Sequence, residues 1–244
     1  MTTPQISLKD LANKSLAFAE KAGSPWKETG GSDCQAYQSS FLCRQSFGAY
    51  HTAKSYWILH ENRCFSDCIA LGRNLLERIA NSICGSKSPT LAVELIASEL
   101  NEKIRHAEIW NPSPGISAEL QQVIAEHKAL LPTFLDLIKQ TKAPEWKFYR
   151  RFQVTGIESL YRSGYSDFSR YSHAGYETAR PAANNDGPKA ADFIALVAPV
   201  ITAANYHVLD CQDCSKKVCD LQQESMSLLN HFRLKPLDAN GASN

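Results

Sequence analysis

The run YRSGYSDFSRYSHAGYETAR, Tyr161–Arg180, gathers four tyrosines, four serines, three arginines and one histidine. Read as a helix at 100° per residue, it places Tyr165, Phe168, Ser169, Ser172, His173 and Tyr176 on one face, with Asp167, Arg170, Ala174 and Glu177 opposite. The charges segregate outward, and the inward face is left with rings, hydroxyls and one imidazole. Such polar groups cost about 1–3 kcal/mol each when buried without hydrogen-bond partners, so something polar must meet them. Arg73 and Glu77 in ALGRNLLERIAN are candidates, four residues apart beside the apolar stripe Phe65, Ile69, Leu76, Ile79 and Ile83. An exposed arginine N-terminal to its glutamate is the less favourable order, which weakens the case for a surface staple. Packed against Tyr165, Ser169 and His173, the pair would satisfy both sides. Two outcomes fit such a cluster: a network that fixes how two helices dock, or a catalytic or ligand-binding site.

Other constellations point to less. Cys211, Cys214 and Cys219, with Cys64 and Cys68, offer one CxxC and one Cys-x3-Cys in helical sequence. A zinc ribbon uses two close CxxC pairs on loops, so these read as ordinary thiols. His106 and His127 stand among helical charges and read as solvated, while His51 and His60 follow aromatic positions and read as packed. There is no Gly-rich phosphate loop, GxSxG or HExxH. The chain is expected to work without a metal or other cofactor.

The elements that must position these residues read as helices throughout. Apolar spacings of three and four predict helices over 6–22, 34–60, 63–84, 90–107, 116–138 and 144–161, the last opened by Pro144. In the second, the rings of Tyr37, Phe41, Phe47, Tyr50, Tyr56 and Trp57 are expected to face the core. Gly164 permits a bend before the Tyr161–Arg180 run continues to about Ala179. A last helical region runs from Lys189 to Phe232, kinked or split at Pro199. No stretch alternates with the two-residue period of a half-buried strand. The expected fold is all-α, a single bundle over 33–235, preceded by an amphipathic helix and loop over 1–32 and followed by a flexible tail over 236–244.

Twenty-six basic and twenty-five acidic residues give a formal charge of +1, too little for a long-range field toward nucleic acid or an anionic membrane. Any such binding must come from a local patch. The longest apolar stretch, FIALVAPVITAA from Phe193, is shorter than the about 20 residues of a span and reads as a buried helix. The first residues, MTTPQISLKDLANKS, lack the basic start and apolar run of a secretory signal. A cytoplasmic protein without membrane contact is expected, its oligomeric state left open.

The pairing of Arg73-x3-Glu77 with a downstream Tyr165-x3-Ser169-x3-His173 resembles a bacterial all-helical family of unknown function, over roughly Ser40 to His173. More distantly, a helical bundle with an arginine near a histidine is similar to the HEPN superfamily of ribonucleases of toxin–antitoxin and phage-defence systems. That family separates its arginine and histidine by four to six residues. Here Arg170 and His173 are separated by two and Arg162 and His173 by ten, so Arg73 would supply the cation from another helix. The resemblance implies a metal-independent ribonuclease with RNA as substrate and an antitoxin or defence-system protein as partner. His173 would move a proton at the 2′-hydroxyl or leaving oxygen, and Arg73 would stabilise the charged phosphorus centre. Tyr165 and Ser169 would orient the histidine or hold phosphate, and Glu77 would hold Arg73. In KFYRRFQ, Lys147, Arg150 and Arg151 form the best local patch for RNA, unless the segment is a solvated helix face with its aromatics turned inward. A non-catalytic interaction or sensor protein with a structural polar network stays open beside the enzyme.

Overall fold

The computed structural model describes residues 7–23, 26–27, 30–110, 118–165, 168, 186–210 and 223–224. Among the described residues there are eight α-helices, one π-helical turn and no strand, as the periodicity predicts. Helix α1 (Leu8–Gly23) starts at Ser7, whose Oγ accepts from the Asp10 N–H at 3.1 Å and donates to the Asp10 carboxylate at 2.6 Å. Helix α2 (Cys34–Glu61) starts at Asp33, which accepts from the Ala36 N–H at 2.8 Å. It ends where Arg63 takes a left-handed φ of 59°, so that the Cys64 N–H reaches the Leu59 carbonyl. Helix α3 (Phe65–Ser86) follows at once, and α4 (Pro89–Trp110) opens on a proline with Ser88 accepting from the Leu91 N–H. Helix α5 (Ala118–Leu137) contains Pro132 and is closed by Lys139 at a φ of 54°.

The single helix expected over 144–161 is instead three pieces: α6 (Phe148–Thr155), α7 (Glu158–Leu160) and the π-helical turn Tyr161–Tyr165. Gly156 makes the break. Its φ of 74° is left-handed, and its N–H closes α6 on the Phe152 and Gln153 carbonyls. Nothing crowds the position where a Cβ would stand. Gly156→Ala should therefore cost only the conformational penalty of a left-handed alanine, about 1–2 kcal/mol. Urea unfolding should show a lower midpoint with an unchanged slope.

Helix α8 (Asp186–Asp210) begins just before the expected Lys189 and continues through Pro199 without splitting. The Thr202 hydroxyl donates to the Ala198 carbonyl at 2.8 Å in the turn that follows. The part of the expected helix from 211 to 232 lies outside the described residues, apart from 223 and 224.

Helix α8 is the centre of the main core. Its buried Ile194, Ala195, Leu196, Val197 and Ala198 meet α1, α2 and α3, so the apolar stretch is a core helix. Close approach is built in: a Cβ on Gly72 of α3 would lie 3.0 Å from the Ala191 Cβ. Helix α1 buries Ala12, Ser15, Phe18, Ala19 and Ala22, whereas Leu8 at its start is exposed. Small residues are what a close contact with α8 selects, and the Ser15 hydroxyl donates directly to the Leu196 carbonyl. Phe47, expected inside, is 48% exposed and packs its ring against Trp26 and His51 instead. A second cluster, Val93, Ala97, Leu100 and Ile104 with Phe134 and Ile138, holds α4 to α5. Among the described residues no helix is long and apolar enough to cross a membrane.

Candidate functional site

Helix α3 carries a polar face beside its apolar stripe, and the turn Tyr161–Tyr165 is laid against it by rings. Tyr165 stacks on Tyr161 with centroids 5.0 Å apart and lies within 6 Å of Phe148 and Phe152. This aromatic cluster fixes the phenol where α3 presents Arg73 and Glu77.

Three side chains then close a ring. Arg73 Nε donates to Glu77 Oε1 at 3.2 Å, Arg73 Nη2 donates to the Tyr165 hydroxyl at 2.9 Å, and that hydroxyl donates to Glu77 Oε1 at 2.9 Å. The guanidinium carbon also stands 4.9 Å from the centre of the Tyr165 ring. With the arginine side chain 24% exposed and the glutamate 19%, the pair is largely shielded, as expected for one that faces the aromatic run. Burial pushes the Tyr165 hydroxyl up to about 12, with Glu77 adding to the rise and Arg73 opposing it. The phenol therefore stays protonated at neutral pH and serves as a donor, not a base. Burial works against the charge on Arg73, but the hydrogen bonds with Tyr165 and Glu77 and the charge of Glu77 outweigh it and raise its pKa. The arrangement can hold a guanidinium in one orientation. Ser169 and His173 lie outside the described residues.

Tyr165→Phe tests the ring without disturbing the stack. It removes one acceptor from Arg73 and one donor from Glu77 and should cost about 1–3 kcal/mol in chemical denaturation. A loss below a few tenths of a kcal/mol would mean that the hydroxyl does not hold the pair.

The basic segment on α6 divides. Lys147 and Arg150 are exposed, and Arg150 lies over the Trp146 ring at 4.4 Å. Arg151, expected beside them, is instead 2% exposed. Its Nε donates to the Trp146 carbonyl at 3.0 Å, and its Nη1 to Asn81 Oδ1 at 2.7 Å and to Glu99 at 3.4 Å. The reason is helical phase: Phe148, Arg151 and Phe152 share one face, and burying the two rings carries the arginine inward. The segment is thus largely the aromatics-inward face that the sequence allows.

Elsewhere, sequence reasoning missed two groupings. Asn81 and Glu99 partner Arg151, and their only sequence signal is polarity on otherwise core-facing turns of α3 and α4. Asp192 on α8 accepts from the Tyr56 hydroxyl at 2.6 Å and lies 3.4 Å from His60 Nε2. Burial raises the pKa of Asp192, with Tyr56 and His60 opposing. His60 is packed among Tyr56, Trp57 and Phe65, as expected. His106 is exposed, matching the reading as solvated, although it also lines a cavity. Cys64 and Cys68 donate to the carbonyls of Asn62 and Tyr56, and burial pushes the Cys68 thiol up to about 11. Cys211, Cys214 and Cys219 lie outside the described residues. Among the described residues, no three His, Cys, Asp or Glu side chains group so as to hold a metal ion.

No curated protein and no solved structure matches the chain. A family model does match residues 40–189, more than half of the chain, and spans both the Arg73–Glu77 pair and the Tyr165, Ser169, His173 run. The chain belongs to the family of unknown function DUF5677.

Proposed function

We propose that the chain is an RNA-cleaving effector in which Arg73, held by Glu77 and Tyr165, stabilises charge developing on a phosphodiester while His173 moves the proton. The observation that supports this reading is the hydrogen bond from Arg73 to Tyr165 across 92 positions of sequence. It joins the Arg-x3-Glu of α3 to the start of the Tyr-x3-Ser-x3-His run, the two halves of the sequence signature. In this chemistry the imidazole supplies proton transfer and a preoriented guanidinium supplies charge, so the reaction asks for no metal. Lys147, just before α6, and Arg150 on it are exposed cations that would track the RNA backbone. A toxin or phage-defence setting, with an antitoxin or defence-system protein as partner, belongs to the same proposal. Incubating the purified full-length protein with total RNA in the presence of a chelator tests it, and intact RNA would count against it.

A second reading keeps the cluster as a structural network in a non-catalytic interaction or sensor protein. Closure of the ring favours it: the Tyr165 hydroxyl both accepts from Arg73 and donates to Glu77, so the three groups satisfy one another. On this reading ring variants lose stability, and there is no cleavage to lose.

A further inference from the structure

We propose that the cavity lined by α2, α3, α4 and α6 binds a small phosphate-bearing molecule, its phosphate held by Arg78 and Gln45. The cavity has a volume of about 330 Å³, at the small end of the range for ligand pockets. Its walls come from α2, α3, α4 and α6, and the carboxylates Glu77, Glu99 and Glu102 line it together with Gln45, Arg78 and Lys103.

Arg78 is a shielded cation without a counter-charge. Its Nε donates to Asn74 Oδ1 at 2.9 Å, but among the described residues neither Nη atom has an acceptor and no carboxylate is within ion-pair distance. The carboxylates that act on it from farther away, Glu99 and Glu77, are bonded to other donors. Glu77 is taken by Arg73 and Tyr165, and Glu99 by Arg151 and Asn81. Burial accordingly lowers the pKa of Arg78, the direction for a cation drawn from water without full compensation, although a guanidinium stays charged at neutral pH.

The backbone makes room for this cation. A Cβ on Gly48 would lie 2.1 Å from Arg78 Nη1, so the guanidinium rests directly on α2 where a side chain is missing. Glycine in the interior of a 28-residue helix costs about 0.5–1 kcal/mol relative to alanine, which gives the vacancy an energetic cost. Gln45 is one turn earlier on the same face of α2. Its side chain is 7% exposed, it lines the cavity, and among the described residues it has no hydrogen-bond partner. The Gln45 amide and the part-buried Arg78 guanidinium, both with unused donors, therefore face the same space.

The spread of the donors over three helices favours phosphate over carboxylate. The two Nη atoms of Arg78 and the Gln45 amide are joined at the rim by Lys103 and His106. Three terminal phosphate oxygens point in three directions and can meet donors from α2, α3 and α4 at once, whereas the two coplanar oxygens of a carboxylate face fewer walls. Glu102 on the same rim accepts from donors on the remainder of the ligand. Apart from Glu77 in its wall, the cavity takes no part in the cleavage proposed above. Binding is measured without RNA, so either proposal can fail alone.

The test is isothermal titration of the full-length protein with inorganic phosphate and with each of the four nucleoside 5′-monophosphates, at constant ionic strength, with succinate as the carboxylate probe. Saturable binding of phosphate or of a monophosphate is expected, weakened about tenfold or more in Arg78→Gln, the value of one charge-assisted hydrogen bond. Phosphate alone binding as tightly as the nucleotides would assign the site to the free ion. Tighter nucleotide binding would assign it to a nucleotide. Gly48→Ala is the second variant: it keeps the arginine and favours the helix but displaces the guanidinium, and it should weaken binding while melting no lower than wild type. No saturable binding by any phosphate probe, binding of succinate in preference to phosphate, or unchanged affinity in both variants would overturn the proposal.

Discussion

Arg151→Ala should destabilise the protein by about 3–5 kcal/mol, the range for removing one partner of a buried charge network. The guanidinium is 2% exposed and spans three elements: it binds the Trp146 carbonyl before α6, Asn81 on α3 and Glu99 on α4. It also lies 4.6 Å from the centre of the Phe148 ring, whose neighbours include Tyr165. Truncation leaves the Trp146 carbonyl and the Asn81 amide oxygen without that donor, leaves Glu99 with Asn81 alone, and opens a gap between helices. Arg151→Lys should recover part of the loss, because an ammonium keeps the charge but does not reproduce the planar fork that meets acceptors on different elements. Arg150→Ala on the exposed side should change stability by less than about 0.5 kcal/mol. Urea unfolding of the three variants decides this, and a loss below 1 kcal/mol for Arg151→Ala would contradict the network.

The contrast between these two arginines shows where sequence reasoning stopped. Helices α1 to α5 were legible because their apolar residues recur every three or four positions, and the Arg73–Glu77 pair because it sat beside that stripe in the weaker order for a surface pair. Its contact with Tyr165 followed from the need of a hydroxyl-rich inner face for polar partners. Arg151 was misread because charge argues for exposure, although Phe148 and Phe152 at spacings of three and one already placed it on the buried face. Gly156 was passed over because a glycine fits a helix pattern until its left-handed φ is known. The Arg78 cavity had no local signature at all, since its walls come from four helices and its key feature, the missing Cβ of Gly48, matters only once α3 lies across it. The family match adds shared ancestry to this picture but no chemistry.

The second large effect concerns catalysis. If Arg73 and His173 hold the jobs proposed for them, each alanine variant should lose about 10²-fold or more in RNA cleavage. Their stabilities should differ. Arg73→Ala takes the cation from Glu77 and a donor from the Tyr165 hydroxyl, leaving those two bonded only to each other in a shielded setting, and should cost a few kcal/mol. His173→Ala should stay folded, with a melting temperature near wild type. A network without catalysis predicts the opposite for the histidine: lost stability and no cleavage to compare.

Cleavage of total RNA by wild type and His173→Ala, in a chelator and with melting temperatures measured on the same samples, tests the central claim most directly. The ribonuclease account predicts cleavage by the wild type and about 10²-fold less by a folded His173→Ala. Intact RNA with the wild type, or equal cleavage by the variant, would contradict it.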